Sequence, residues 1–191
     1  AMTGRQIRWG LDAARIAREA DPAVPIVWGG VHPTILPEQT LAHPLVDIVA
    51  VGEGEITALE LSQALRERAP QAAFTPTAIG AIAGLVWQHE GRTIYNAPRY
   101  FTPMDDWPLL DYSLVPIERY ILAEVPGERS LQITTSRGCP WHCGYCYLAV
   151  VPDGRRYRAE HPERTVERIE RLIRMFDLNA MHIIDDEFFT R

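Results

Sequence analysis

The sequence predicts an α/β protein, and three observations carry that prediction. Between residues 25 and 69, short apolar strands run directly into glycines and then into helices, twice over. That order is the mark of a parallel, doubly wound sheet. Between residues 131 and 184 a single strand–helix–strand unit follows. Separating the two, residues 98–129 hold five prolines and little periodicity, so they are expected as an irregular connector.

Taken in order, Ile7, Leu11, Ala14 and Ala17 recur at helical spacing and make one apolar stripe. Asp21-Pro22 ends that helix. Pro25-Ile26-Val27-Trp28 is then a short buried strand ending at Gly29-Gly30, and a loop punctuated by Pro33 and Pro37 follows. The next strand, Val46 to Val51, ends at Gly52-Glu53-Gly54-Glu55, and a helix is expected from there to about Ala69. Residues 70–80, rich in Ala, Pro and Thr, are expected as a linker. Leu85-Val86-Trp87 and Thr93-Ile94-Tyr95 flank Glu90-Gly91 and predict a β-hairpin. Leu131 to Thr135 is a strand leading into the cysteine loop. His161-Pro162-Glu163 opens a helix with Val166, Ile169, Leu172, Ile173 and Phe176 on its core side. Met181 to Ile184 is the last strand and ends in Asp185-Asp186-Glu187. One such unit is too small to close a barrel.

Composition narrows the function. Of the 191 residues, 47% are hydrophobic and 23% charged, as in globular proteins. No apolar run is long enough to span a membrane, and residues 1–10 lack the layout of a secretory signal. A net charge of −6 argues against a general nucleic-acid binder, which meets phosphate with a basic surface. Arg155, Arg156, Arg158 and Arg164 are interleaved with Glu160, Glu163 and Glu167, which predicts a solvated face. Strand-end glycines mark where ligands sit in doubly wound sheets, so the turns at Gly29-Gly30 and Gly52–Gly54 are one candidate rim. Simple tight turns explain them equally well.

All three cysteines, Cys139, Cys143 and Cys146, fall within eight residues. An odd, clustered set cannot be a disulfide framework and suits a reducing compartment, so a cytoplasmic protein is expected. The spacing places three thiolates on one tight loop. Gly138 and Gly144 allow its backbone to turn, and Pro140 stiffens it. Soft thiolates select zinc, copper(I) or iron–sulfur clusters. A structural zinc site needs a fourth ligand, which His142, His161 or His182 would have to supply. An iron–sulfur cluster needs only the three thiolates and leaves one iron open.

The run Ser136-Arg137-Gly138-Cys139-Pro140-Trp141-His142-Cys143-Gly144-Tyr145-Cys146, placed after a strand and before a helix, resembles the signature loop of the radical S-adenosylmethionine (SAM) superfamily. The resemblance implies a [4Fe–4S] cluster on Cys139, Cys143 and Cys146, with SAM chelating the open iron beside Tyr145. Asp185, Asp186 and Glu187, at the top of a barrel strand, are expected either as polar contacts for SAM or substrate or as a strand-end cluster facing water. It implies reductive cleavage of SAM to methionine and a 5′-deoxyadenosyl radical, with the cofactors supplying the chemistry. Arg137 is expected either to balance the cluster's charge or simply to cover the loop.

Upstream, Val27-Trp28-Gly29-Gly30-Val31-His32-Pro33-Thr34, Asp47-Ile48-Val49 and Gly52-Glu53-Gly54-Glu55 look like the cobalamin-binding domain that precedes many radical SAM barrels. The fold implied is an incomplete Rossmann-like cobalamin-binding domain at 1–80, a hairpin and Pro-rich connector at 81–129, and the start of a radical SAM (β/α) barrel at 130–191. Thr3, Gly4, Gly29, Gly30, Gly52, Glu53 and Gly54 would approach cobalamin. His32 is expected as a loop residue rather than the cobalt ligand, because the Asp-x-His-x-x-Gly motif is absent. Strands of both domains are expected beyond each end, so the chain resembles a fragment. The family includes anaerobic magnesium-protoporphyrin ester cyclases, hopanoid methylases and natural-product C-methyltransferases. The implied activity is methylation of carbon in a small-molecule substrate, with an electron donor such as flavodoxin or ferredoxin. The rivals are a radical ring-forming cyclase and a non-catalytic cobalamin- or zinc-binding module. Methylthiolation of transfer RNA calls for further N-terminal cysteines and a basic surface, and does not fit.

Overall fold

The computed structural model describes residues 4–66, 74–151 and 154–190. The chain divides into two compact units, one of Ala1–Phe101 with Val150–Pro152 and the other of Thr102–Ala149 with Asp153–Arg191.

The first unit is a four-stranded sheet with helices on both faces. Helix α1 (Arg5–Ala20) ends where Asp21-Pro22 removes the next helical amide. Strands β1 (Val27–Trp28) and β2 (Ile48–Ala50) pair in parallel, Trp28 opposite Val49. Side chains alternate along β2. Val49 faces one core with Ala14, Ile26, Trp28, Leu41, Val46 and Val86, against which Ile7 and Leu11 of α1 pack. Ile48 and Ala50 face a second core with Leu61, Ile79, Ile82, Leu85 and Trp87. That two-sided burial is the doubly wound arrangement expected from the sequence.

Two details of the helical segments differ from the expectation, and one follows it. The segment after Gly30, expected as a loop, forms two short helices, α2 (Val31–Ile35) and α3 (Pro37–Leu41). Their prolines stand in the first turn, where a missing amide costs nothing. Helix α4 (Glu55–Arg66) covers the described part of its predicted span, and residues 67–69 lie outside the described residues. The expected linker is described only from residue 74, and Pro76–Ile79 within it forms α5, capped by Thr75.

The hairpin β3 (Leu85–His89) and β4 (Arg92–Tyr95) turns through Glu90 and Gly91, both at positive φ, as a two-residue turn requires. Expected to lie between the two modules, it instead extends the first sheet, because β3 pairs antiparallel with β2. Trp87 is fully buried and donates its indole N–H to Asn96, whose amide donates to the carbonyls of Ile79 and Ile82. A fully buried tryptophan with its N–H satisfied anchors the hairpin to α5.

The second unit holds β5 (Ser130–Ile133), β6 (Ser136–Arg137), β7 (Arg158–Ala159), α6 (Pro162–Phe176) and β8 (Ala180–Ile183). Strands β5 and β8 pair in parallel, and β6 pairs antiparallel with β7. The core is Leu131, Ile133, Leu172 and Leu178, with Ile169, Ile173 and Phe176 of α6 packed on it. Val166, expected on the core side, is 56% exposed. The strand predicted over 131–135 breaks after Ile133.

The basic stretch is not the solvated face expected. Glu160 is 5% exposed and sits between Arg164 and Arg168, at 3.1 and 2.8 Å, while Thr165 donates a third contact at 3.0 Å. Arg168 also donates to the Thr134 carbonyl at the end of β5. Burial of Glu160 is tolerated because it is paired twice and hydrogen-bonded.

A glycine rim and a cysteine loop

In the first unit, the two glycine turns stand side by side because β1 and β2 are adjacent and parallel. Gly30 has φ +99° and Gly52 φ +82°, a region that side chains with a Cβ rarely adopt. The Gly52 amide donates to Thr34 Oγ1 at 3.0 Å, which ties the second turn to α2 after the first. A Cβ on Gly52 or Gly54 would meet nothing within 4 Å, so the rim is open above both. A Cβ on Gly29 would rest on Ala50. Gly29 also borders an open groove of about 610 Å³ between α1 and β1, lined by Gly10, Ala13, Ala14, Ala17 and Trp28. Gly4 begins α1 with φ +50° and is not part of that lining. Thr3 lies outside the described residues. Glu53 is half-buried on the rim, and His32 is within α2, where its carbonyl accepts from Leu36.

In the second unit, the cysteine loop leaves β6 and is held from below by the segment that leads into β7. The Cys139 amide donates to the Gly154 carbonyl at 3.1 Å. Gly138 has φ +79°, and a Cβ there would stand 2.4 Å from the Arg156 carbonyl oxygen. A Cβ on Gly154 would stand 2.6 Å from that of Leu148. Backbone lies directly on backbone at both crossings, so glycine is required. The Cys146 amide donates to the Cys143 carbonyl at 3.2 Å, closing the turn between them.

All three thiols are free, Cys143 exposed and the other two half-buried. Trp141 is 58% and Tyr145 96% exposed around them. Among the described residues, no three His, Cys, Asp or Glu side chains gather tightly enough to hold a single metal ion. Ligands of a cluster attach to separate irons and need not converge as those of one zinc do. The donor set of three free thiols on one short loop therefore fits an iron–sulfur cluster. Of the histidines that a zinc site would recruit, His182 is engaged elsewhere, its ring meeting Glu128 at 2.9 Å. The exposed His161 ring lies 3.7 Å from Glu163, and its backbone amide donates to Asp105 at the start of α6.

The carboxylates after β8 divide their tasks. Asp185 accepts from the Thr135 amide at 2.6 Å, the Thr135 hydroxyl at 2.7 Å and the Ser136 amide at 3.0 Å. Asp186 accepts from the Tyr147 hydroxyl at 2.8 Å, just past Cys146. Burial first, and then Asp186 with its charge, push the Tyr147 hydroxyl up to about 12. Glu187 accepts from the Phe189 amide, and its carbonyl accepts from Ser136. The structure thus brings Asp186 to the cysteine loop through Tyr147, while the Glu187 side chain closes its own turn. Arg137 stacks over Trp107 with its guanidinium carbon 5.1 Å from the ring centre.

Thr135 and Arg155 carried no expectation as site residues, and Asp185, expected with its neighbours as a polar contact or a water-facing cluster, instead holds Thr135 and Ser136. The signal for the pair was the parallel register of β5 and β8, Ile133 opposite Ile183, which sets Thr135 against Asp185. Arg155 lay in the charge run set aside as surface.

Comparison with known proteins agrees with both halves. Residues 1–62 match the model of the B12 binding domain. The chain is 32% identical over 177 residues to the uncharacterized methyltransferase PH0819 of Pyrococcus horikoshii, covering 92% of this chain and 36% of that protein. It is 30% identical over 178 residues to the anaerobic magnesium-protoporphyrin IX monomethyl ester cyclase of Rubrivivax gelatinosus, covering 91% of this chain and 30% of the cyclase. The chain thus spans about a third of the length of these relatives. The cobalamin-dependent SAM radical enzyme OxsB, solved with aqua-cobalamin and SAM, shares the fold at a TM-score of 0.65 and 20% identity, over 98% of this chain and 25% of OxsB. Residues 1–62 thus match a B12 binding domain, and nine-tenths of the chain is similar to proteins named as a methyltransferase and as a magnesium-protoporphyrin cyclase.

Proposed function

We propose that this chain is part of a cobalamin-dependent radical SAM enzyme that methylates carbon in a small-molecule substrate. The observation that carries the reading is the free-thiol loop Cys139, Cys143 and Cys146 at the end of β6, in the same chain as a B12 binding domain. Residues 1–80 are assigned to the cobalamin-binding part and residues 130–191 to the first part of the barrel. The hairpin between them belongs structurally with the first sheet.

The three cysteines would hold a [4Fe–4S] cluster, and the rim of Gly29, Gly30, Gly52, Glu53 and Gly54 would take cobalamin. When bound, these groups supply the electron for SAM cleavage and the methyl-carrying cobalt. The protein's own residues position and shield. The Asp185 latch fixes where the loop leaves the sheet, and Tyr147 with Asp186 holds the loop's far end. Exposed Trp141 and Tyr145 offer aromatic surface to SAM. Free thiols suit a reducing compartment with a low-potential donor such as flavodoxin or ferredoxin. Among the described residues, no helix is long and apolar enough to cross a membrane.

A second reading, radical ring formation, is favoured by the similarity to the magnesium-protoporphyrin cyclase. The two differ in product, not in cofactor set. Anaerobic reconstitution with iron and sulfide tests what they share, comparing the parent with Cys143→Ala by iron analysis and low-temperature EPR. Roughly four irons per chain, with a reduced-cluster signal that shifts on adding SAM and is lost in the variant, sustains the reading. One zinc and no cluster sinks it.

A further inference from the structure

We infer that Arg155 is a positioning residue that donates a hydrogen bond from Nη1 to a sulfide of the cluster held at Cys143, and so raises the cluster's reduction potential. The inference rests on the cluster reading above. It begins from the crossing of two backbones. The Gly154 carbonyl accepts from the Cys139 amide, and Gly138 leaves no room for a Cβ above Arg156. These contacts fix residues 154–156 directly under the cysteine loop.

From that position Arg155 reaches the middle cysteine. Its Nη2 donates to the Cys143 carbonyl at 3.4 Å. Its Nη1 is shielded from solvent and has no hydrogen-bond partner among the described residues. A shielded cationic N–H without an acceptor is unfavourable, and native structures rarely keep one without a reason. The sulfide sulfurs of a cluster on Cys143 are the acceptors that would satisfy it. Nearby Arg137 is turned onto Trp107, and Arg156 is exposed at the surface.

The direction of the effect follows from charge. A [4Fe–4S] cluster on three thiolates carries one net negative charge when oxidised and two after taking one electron from an external donor such as dithionite. No bond forms or breaks in that step. A guanidinium at hydrogen-bond distance stabilises the doubly charged form more, so it makes reduction easier, and hydrogen bonds to cluster sulfurs act the same way.

The test is an EPR-monitored redox titration of the anaerobically reconstituted chain as parent, Arg155→Gln, Arg155→Lys and Arg156→Gln, with iron and sulfide measured in each. The expected result is a roughly tenfold lower reduced-to-oxidised ratio at a fixed potential for Arg155→Gln, about 59 mV for one electron. Arg155→Lys should lie nearer the parent, and Arg156→Gln should leave the ratio close to it. Equal potentials in the parent and Arg155→Gln overturn the inference. So does an equal shift in Arg156→Gln, which would show a diffuse charge effect. A parent that assembles no cluster overturns the proposed function as well. Should Arg155→Gln not fold, the parent carries the test through arginine labelled with 15N. Pulsed EPR of the reduced cluster then shows a 15N coupling that disappears in Arg155→Lys, and absence of that coupling in the parent overturns the inference.

Discussion

Thr135 and Asp185, fifty positions apart, are joined by two hydrogen bonds, one from the Thr135 amide at 2.6 Å and one from its hydroxyl at 2.7 Å. Thr135 is fully buried, and the neighbouring Ser136 amide adds a third bond to the same carboxylate. The strand from Ser130 stops pairing after Ile133, and the chain bends here toward the cysteines. A bend in mid-strand exposes backbone amides that a sheet would otherwise satisfy. Asp185 takes over that role from the end of the neighbouring strand.

Replacing Asp185 by Ala therefore leaves two amides and a hydroxyl without their acceptor. The expected loss of stability is about 2–4 kcal/mol, from the cost of unsatisfied buried donors and of charge-assisted bonds. Asp185→Asn keeps an acceptor and should lose about half as much. Urea denaturation followed by far-ultraviolet circular dichroism measures both. An alanine variant as stable as the parent would show that the latch is not a stabilising element.

Gly138 is the second support of the loop, and it fails for a different reason. At φ +79° a side chain is strained by about 1–3 kcal/mol. A methyl group 2.4 Å from the Arg156 carbonyl oxygen adds an overpacking cost of about 1–3 kcal/mol, because backbone cannot swing aside. Gly138→Ala should then lose roughly 2–6 kcal/mol and take up less iron on reconstitution than the parent. The neighbouring Gly144, where a Cβ would meet nothing within 4 Å, is the control and should keep iron uptake as Ala.

Most of the fold was legible because apolar periodicity and strand-end glycines are local signals. The stripe of Ile7, Leu11 and Ala14 and the alternation along Ile48, Val49 and Ala50 reach the cores they predict. What sequence could not show was pairing. The hairpin's place beside β2 depends on Val86 opposite Val49, a contact between residues 37 positions apart with no local mark. Glu160 was misjudged for the same reason. It lies in a run rich in charged residues, yet its burial is decided by Arg168 a further two helical turns on, itself held by the Thr134 carbonyl. The cysteine loop was legible from spacing alone, whereas its supports, Asp185 and Arg155, come from segments that meet it only in the folded chain.

The glycine rim makes a prediction that separates ligand binding from folding. A Cβ on Gly54 meets no neighbour within 4 Å, and Gly54 does not have a positive φ. Gly54→Leu should change stability by less than about 0.5 kcal/mol, as for other open surface positions. If the rim takes cobalamin, the added side chain fills space the corrin needs and weakens binding at least about tenfold, or 1.4 kcal/mol. Titration with hydroxocobalamin followed by visible absorbance reads the affinity. Unchanged affinity in a folded Gly54→Leu would remove Gly54 from the cobalamin site.

The link between Tyr147 and Asp186 predicts a titration at high pH. Tyr147 keeps its proton up to about 12 in the folded chain, against an ordinary tyrosine value of 10.0, through burial first and then through Asp186. Because the folded value is raised, this group's contribution to stability is complete below pH 10 and falls as pH rises through 12. Tyrosinate absorbance, read by stopped flow before alkaline unfolding, should lose its latest step in Tyr147→Phe, while the raised Tyr95 and Tyr112 hydroxyls still titrate. Asp186→Asn should bring that step to lower pH without returning it to the ordinary value, since burial remains the larger cause. A titration unchanged by Asp186→Asn would mean that the hydrogen bond does not hold the far end of the cysteine loop, and that the aromatic ring is positioned by packing on its own.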